Sequence, residues 1–476
     1  MANVLFIQDS WYAKLSTMQL SAVLKAGGHQ TDLLISEKPD QRFVRSVKAL
    51  KPDIIAISML MTEQKWVRDT AGVIKDQGID AFVIAGGPHP TFFPEFVHTR
   101  GIDAINVGEG EASLLELADT VDQKGDVSKI RNLIVKNNGE IHENPVRPFV
   151  DIEKLPLPDR DIYLKYDYFR DLEFYDFNVS MGCPYNCAYC FFHQWAGIYK
   201  GTKGYKPFRL KSVDRCINEI NDLSQKVKIP LIAYVDSTFN LKKSWMIEFL
   251  YRYKKDVNIP FTINLRANLV DEEIVKALAD SGCCRFIRMG TEVGNERIRR
   301  EVLKKNVTNQ QIYDATELLR KYGIRFLTYN MFCLPGETLE QAFETIELNQ
   351  KIRPFAMNSL IFHPYPGLEV TKYALEKGYL KEEDIQKLEK KRYNRMQSVL
   401  TQKDLREIEN LSKLSLLAVM YPSTFPVVKR LVKLPPNIVF DAIGIVSRIN
   451  SGVKAMEKNF FQLVMKLIIE GKTRLV

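Results

Sequence analysis

Cys183-Pro184-Tyr185-Asn186-Cys187-Ala188-Tyr189-Cys190 sets three thiols in eight residues, at CxxxCxxC spacing. The stretch follows on Phe174–Ser180, a strand candidate. Three thiolates on one short loop can wrap a single metal centre, yet they leave a tetrahedral or cubane site one ligand short. For a [4Fe–4S] cluster, ordinarily held by four cysteines, one iron is then open to a second ligand. Thiolates keep such a centre electron-rich, which suits it to give an electron away. The competing reading is a structural Cys₃His zinc site with His193 as fourth ligand. The remaining cysteines, Cys216, Cys283, Cys284 and Cys333, are scattered and read as core residues. An odd total of seven is no disulfide framework and fits a reducing, cytoplasmic setting.

Outward from this loop, strand and helix patterns alternate over residues 171–375. Further strand candidates are Leu231–Asp236, Phe261–Arg266, Arg285–Gly290, Arg325–Leu334 and Asn358–His363. Helical stretches such as Ser212–Leu223, Glu272–Ser281, Gln310–Tyr322 and Leu339–Ile352 separate them. Six such units predict a partial (β/α)6 barrel, with its active site at the carboxyl ends of the strands.

The loop resembles the signature of the radical S-adenosylmethionine (SAM) superfamily, whose CxxxCxxC carries an aromatic residue before the last cysteine, here Tyr189. The resemblance implies that Cys183, Cys187 and Cys190 bind the cluster and that SAM chelates the open iron. It also implies that the segment of Tyr189 lies against the adenine, and that reductive cleavage yields a 5′-deoxyadenosyl radical. Other stretches fall in the family's order at successive strand ends. Val235-Asp236-Ser237 is similar to the motif that receives the SAM amino group, and Arg266 ends the next strand in Asn264-Leu-Arg-Ala-Asn268. Gly290-Thr-Glu292-Val-Gly294 is similar to the Gly-x-Glu-x-Gly stretch near the ribose and methionine. Leu334-Pro-Gly-Glu-Thr338 and His363-Pro-Tyr-Pro-Gly367 close the series.

Residues 1–125 alternate in the same way. Val4–Gln8, Thr31–Ile35, Asp53–Ser58, Phe82–Ala85 and Ala104–Val107 are strand candidates with helical patterns between them. This predicts a doubly wound, flavodoxin-like or Rossmann-like parallel sheet that binds ligand at its strand carboxyl ends. The loops there carry Gln8, Ser10, Ser58, Leu60 and Thr62, then Gly86, Gly87, His89, Pro90 and Thr91, then Gly108, Glu109, Gly110 and Glu111. Read alone, they indicate a cofactor or nucleotide domain. Beside the barrel motif, the domain resembles the cobalamin-binding domain that precedes many radical SAM enzymes, and those residues are then the expected cobalamin contacts. Some cobalamin enzymes carry Asp-x-His-x-x-Gly after the first strand; here Asp9-Ser-Trp11-Tyr-Ala has no histidine. The expectation is a base-off cobalamin without a protein imidazole on cobalt, with His89 no replacement.

Residues 126–170 read as a connector with a hairpin turn at Asn138-Gly139 and a stiff Leu155-Pro-Leu-Pro-Asp159. Residues 376–476 read as a helical C-terminal domain. From residue 421 onward, nine Lys/Arg face three Asp/Glu, which holds most of the +9 net charge. Apolar stretches there, Asn437–Ile449 and Asn459–Ile469, read either as a cap on the barrel or as a peripheral contact with an anionic membrane. Met1–Ile7 enters a strand directly, so no signal peptide is expected, and no apolar run is long enough to span a bilayer. Basic runs interleaved with aromatics are missing, so nucleic acid is not an expected partner.

The resemblance implies a radical methyltransferase of the methylase type, acting on an unactivated carbon of a small molecule or a lipid such as a hopanoid. A flavodoxin or ferredoxin would supply electrons. Related enzymes of this organisation cyclise or rearrange their substrates without methyl transfer, and a cobalamin or redox sensor is the non-enzymatic alternative. The motifs assign no residue to proton transfer.

Overall fold

The computed structural model describes residues 1–137, 139–385 and 397–456. In β1 (Asn3–Gln8), Val4 and Phe6 enter one apolar core while Leu5 and Ile7 enter another. A strand buried on both faces needs a layer on each. Helices Leu15–Ala26 and Glu111–Asp122 supply Met18, Leu24, Leu114 and Leu117 to the first core. Helices Gln41–Leu50 and Gln64–Asp76 supply Val44, Val47, Val67 and Ala71 to the second.

With β2 (Gln30–Ile35), β3 (Ile54–Ser58), β4 (Phe82–Gly86) and β5 (Ala104–Asn106), the order is β2-β1-β3-β4-β5, all parallel. The order reverses between β1 and β3, where such sheets bind ligands beyond their carboxyl ends. The stretch read as a connector adds two antiparallel strands to the same sheet, β6 (Leu133–Asn137) and β7 (Glu140–Glu143). Asn138 of the expected turn lies outside the described residues; Gly139 has φ of 85°, as such a turn requires.

The second sheet is wholly parallel and runs β8 (Tyr175–Phe177), β11 (Ile232–Tyr234), β12 (Phe261–Leu265), β13 (Cys284–Glu292), β14 (Phe326–Phe332), β15 (Ala356–Ile361). Neighbours in space are neighbours in sequence, and β8 and β15 remain edges, so the barrel is partial. The expected strand Phe174–Ser180 breaks after Phe177. Val179 and Ser180 turn their N–H groups to the Asp236 carboxylate, and the chain restarts as β9 (Ser180–Gly182). It then pairs antiparallel with β10 (Phe208–Leu210).

In the C-terminal region, helices Leu405–Met420, Phe425–Leu431 and Ile438–Met456 pack Leu411, Leu414, Val428 and Phe440 on Phe332, Met357 and Ile361 of β14 and β15. No helix among the described residues is long and apolar enough to cross a membrane. The expected helical stretch Asn459–Ile469 lies outside the described residues.

Candidate active site

The cysteine loop connects β9 to helix Phe191–Ile198 at the carboxyl end of β8. It is pinned at its centre, where Ala188 N–H donates to Leu303 O at 2.9 Å and Val370 N–H donates to Ala188 O at 3.1 Å. Burial holds the Cys183 thiol above its ordinary range, and Cys187 adds to this. Burial likewise pushes Cys190 up to about 11, with Cys183, Cys187 and Glu292 adding. The three thiols therefore share one field, and ionising all of them is unfavourable unless a cation compensates. Three groups act in the opposite sense on Cys183: the Tyr185 backbone N–H first, then the Arg266 guanidinium and the Thr238 hydroxyl. Among the described residues, no set of three His, Cys, Asp or Glu side chains is gathered into a single-ion site. A loop of three neighbouring thiols, Cys187 buried and Cys183 and Cys190 half-buried, fits a polynuclear cation that brings its own ligands.

The strand-end residues expected around this loop come to it. Arg266 lies 3.7 Å from the ring centre of Tyr185, inside the CxxxCxxC, while its Nε donates to Asn268. The Tyr189 hydroxyl donates to Glu292 Oε1 at 3.0 Å, and the Lys305 ammonium donates to the same oxygen at 2.7 Å and to Gly290 O. Glu292 takes φ of 61°, uncommon for a residue with a side chain, at a register shift between β13 and β14. Arg299, fully buried, satisfies the carbonyls of Thr291, Val293 and Val307 and so fixes the loop that carries Glu292. Thr238, Lys305 and Arg299 were not legible as site residues. Lys305 sits in a Lys-Lys pair and reads as surface charge.

Asp236 is differently employed. Its buried carboxylate accepts from Val179 N, Ser180 N and the Ser180 hydroxyl, so it holds the corner from which the cysteine loop departs. Ser237, beside it, is exposed. Asp236→Asn is expected to lose at least one charge-assisted bond, about 1.5–3 kcal/mol of stability, and to lower iron incorporation. Urea denaturation and iron analysis check this; an unchanged midpoint would refute it.

In the first sheet, Gln8 orders its own loop by donating to Ser10 O and Tyr12 O. Ser58 shares a hydroxyl bond with Ser16, and its carbonyl accepts from buried Lys14, which also pairs with Glu63. Leu60 N–H donates to Glu63, leaving the Leu60 side chain exposed, as are Tyr12 and Thr62. Gly87 has φ of 101°, and a Cβ there would lie 2.6 Å from Met59 O, so the loops after β3 and β4 touch through a glycine. The Thr91 hydroxyl accepts from Gly108 N–H, which ties the third loop to the fourth, and Pro90 is buried beside it. His89 is buried and stacks on Phe93 with Phe96 at its edge. Gly110 packs on Leu20. Burial raises Glu111, and Glu109 adds to this.

Glu109 binds Arg209 of β10 and accepts from Val150 N–H, while its own N–H donates to the Tyr199 hydroxyl. A side chain on Gly108 would collide with that hydroxyl. These two expected ligand contacts therefore join the first sheet to β10 and to the end of helix Phe191–Ile198. Phe92 stacks on Phe191 at 4.8 Å, one residue past the last cysteine, and the Tyr12 hydroxyl donates to Asp176 of β8. The carboxyl ends of both sheets are thus brought against each other. Exposed apolar side chains stand at both, Tyr12 and Leu60 on one and Val235 and Leu360 on the other. Such faces fit a large, partly apolar ligand.

Residues 177–348 match the radical SAM superfamily, and residues 12–118 match the B12 binding domain. An uncharacterized methyltransferase of Pyrococcus horikoshii is 31% identical over 339 residues, which are 70% of this chain and 72% of the relative. An anaerobic magnesium-protoporphyrin IX monomethyl ester cyclase of Rubrivivax gelatinosus is 26% identical, over 73% of this chain and 63% of its own length. The solved radical S-adenosylmethionine methyltransferase TsrM of Kitasatospora setae shares the fold at a TM-score of 0.64 and 18% identity, covering 79% of this chain and 76% of that one. The chain is an enzyme of the cobalamin-dependent radical SAM family. A [4Fe–4S] cluster, SAM and cobalamin are its implied cofactors.

Proposed function

We propose that the enzyme is a radical C-methyltransferase acting on an unactivated carbon. One observation carries the reading: the loop after β4 meets the segment after the cysteine loop, Phe92 stacking on Phe191, and on this reading the two strand-end faces form one chamber. When bound, the cluster supplies an electron, SAM a hydrogen-abstracting radical and cobalamin a transferable methyl group. The chain's own residues bind and orient. Cys183, Cys187 and Cys190 hold the cluster, with Arg266 and Thr238 favouring the thiolate of Cys183. Tyr189, Glu292 and Lys305 form a rigid acceptor and donor set for the ribose and methionine of SAM. The exposed Ser237 hydroxyl takes the SAM amino group, while Asp236 positions the loop. Gly86, Gly87, Leu60 and Thr62 face the corrin. His29 is engaged with Ala2 N–H and Asp119, and His89 is enclosed by Phe93 and Phe96, which favours cobalamin without a protein imidazole.

Anaerobic enzyme reconstituted with iron, sulfide and cobalamin, given SAM, a reductant and an extract containing acceptor, is expected to form 5′-deoxyadenosine and S-adenosylhomocysteine together. 5′-Deoxyadenosine without S-adenosylhomocysteine would replace methylation by the cyclase-type reaction. A flavodoxin or ferredoxin is the natural reductant to compare with a chemical one.

A lipid acceptor is favoured by the exposed face of helix Ile438–Met456. Ile438, Val439, Ile445 and Val446 recur on one side and are open to solvent, with Arg430 and Lys433 exposed nearby. Flotation with vesicles containing anionic lipid is expected to carry the protein, and Ile445→Glu to weaken this. Equal recovery with neutral vesicles, or none, would leave the acceptor a water-soluble molecule.

A further inference from the structure

Both ends of the cysteine loop are tied to one residue, Glu109, in the loop after β5 of the first sheet. Glu109 lies against Arg209 of β10, and their side chains are only 4% and 10% exposed. Two guanidinium nitrogens donate to the carboxylate, one to each oxygen, so the pair is bidentate. Val150 closes it: its N–H donates to Glu109 Oε2 at 2.8 Å, and its carbonyl accepts from Arg209 at 2.7 Å. In the β9–β10 pairing Arg209 stands opposite Met181, and Phe208 opposite Gly182, the residue before Cys183. Past Cys190, helix Phe191–Ile198 ends at Tyr199, whose hydroxyl accepts from Glu109 N–H at 2.5 Å. Phe149 fills the space between these two arms. Its ring stacks on Tyr199 at 3.9 Å and lies 4.3 Å from the Arg209 guanidinium.

A carboxylate committed in this way is not available to a ligand; it is suited to brace one part of the chain against another. Elsewhere the facing ends of the two sheets touch at Phe92 on Phe191 and at Tyr12 on Asp176, where Tyr12 is exposed. Tyr12 follows β1 and Glu109 follows β5, with β3 and β4 between them, so about 14 Å of sheet separates the two ties. A tie on one side alone leaves a hinge, whereas ties on both sides fix the angle between the ends. We propose that Glu109, Arg209 and Tyr199 are positioning residues, a clasp that sets the distance and orientation of the cysteine loop relative to the loops facing cobalamin. The inference rests on the reading that the two strand-end faces form one chamber. It assigns Glu109 to the geometry between the cofactors and not to contact with either of them.

The test is electron paramagnetic resonance of the reduced holoenzyme, with iron and cobalamin content measured on the same samples. The wild type is expected to show cobalt(II) and cluster signals that broaden each other. The double variant Glu109→Gln/Arg209→Met removes both charges, so that neither is left buried without its partner. It is expected to hold both cofactors while the mutual broadening is largely lost, because dipolar coupling falls steeply with separation. Tyr199→Phe, which keeps the ring on Phe149, is expected to lie between the two. Lys65→Gln, whose exposed pair with Asp69 stays within one helix, is expected to match the wild type. A merely structural role would lower cofactor content and leave the broadening of the loaded molecules unchanged. Wild-type broadening in the double variant would therefore overturn the clasp and leave the chamber reading standing. Cofactor loss from the double variant, with unchanged broadening in Tyr199→Phe, would overturn it as well. Absence of broadening in the wild type would overturn the chamber reading and the clasp together.

Discussion

Cys187→Ala is expected to bring iron incorporation and SAM cleavage to background while leaving the fold and cobalamin retention intact. The thiol is buried between its two partners in the loop, and removing it leaves two thiolates for a cluster that needs three. The backbone of the loop does not depend on it, because Ala188 is held by Leu303 on one side and Val370 on the other. The removed sulfur is one that raises the proton affinity of Cys183 and Cys190, so its loss puts no strain on the apoprotein. Visible absorbance of the cluster, iron analysis and 5′-deoxyadenosine yield measure the outcome. Near-wild-type cleavage by Cys187→Ala would remove the cluster from the account.

Gly87→Ala is expected to strike the other half of the chamber. Gly87 has φ of 101° and ψ of −168°, a region open essentially to glycine alone, and its added Cβ would meet Met59 O at 2.6 Å and Met59 N at 3.2 Å. Strain of about 1–3 kcal/mol must be relieved by moving the loop Ser58–Thr62, whose Met59 N–H is bonded to Gly86 O. Cobalamin affinity is expected to fall by about 10–100-fold, with iron content unchanged. Retention of cobalamin through gel filtration reads this directly; full retention would place the corrin elsewhere.

Much of the architecture was legible because the central strands of the first sheet are buried on two faces and those of the second are largely buried. Each strand then shows as a short apolar run between helical patterns, and parallel order follows from the crossovers. The cysteine loop was legible because its chemistry is local, within eight residues. What was hidden depends on partners far apart in the chain. The break after Phe177 comes from Asp236, which lies 57 residues beyond the Val179 it holds. Glu109 looked like a ligand contact in a glycine-rich loop, yet its carboxylate is taken by Arg209 and its N–H by Tyr199, 100 and 90 residues distant. The hairpin Leu133–Glu143 looked like part of a connector because its turn is visible and its docking on β5 is not. Lys305 gave no sign of burial, since only the fold shows that Glu292 and the Gly290 carbonyl wait for its ammonium.

The central claim is that the cobalamin face and the cluster loop share one chamber. Electron paramagnetic resonance of the reduced holoenzyme tests it most directly, since cobalt(II) and a reduced [4Fe–4S] cluster are both paramagnetic. The account predicts that each signal is broadened and relaxes faster in the presence of the other, and that the cobalt signal returns to its isolated form in Cys187→Ala. Two unperturbed signals that simply add would contradict it.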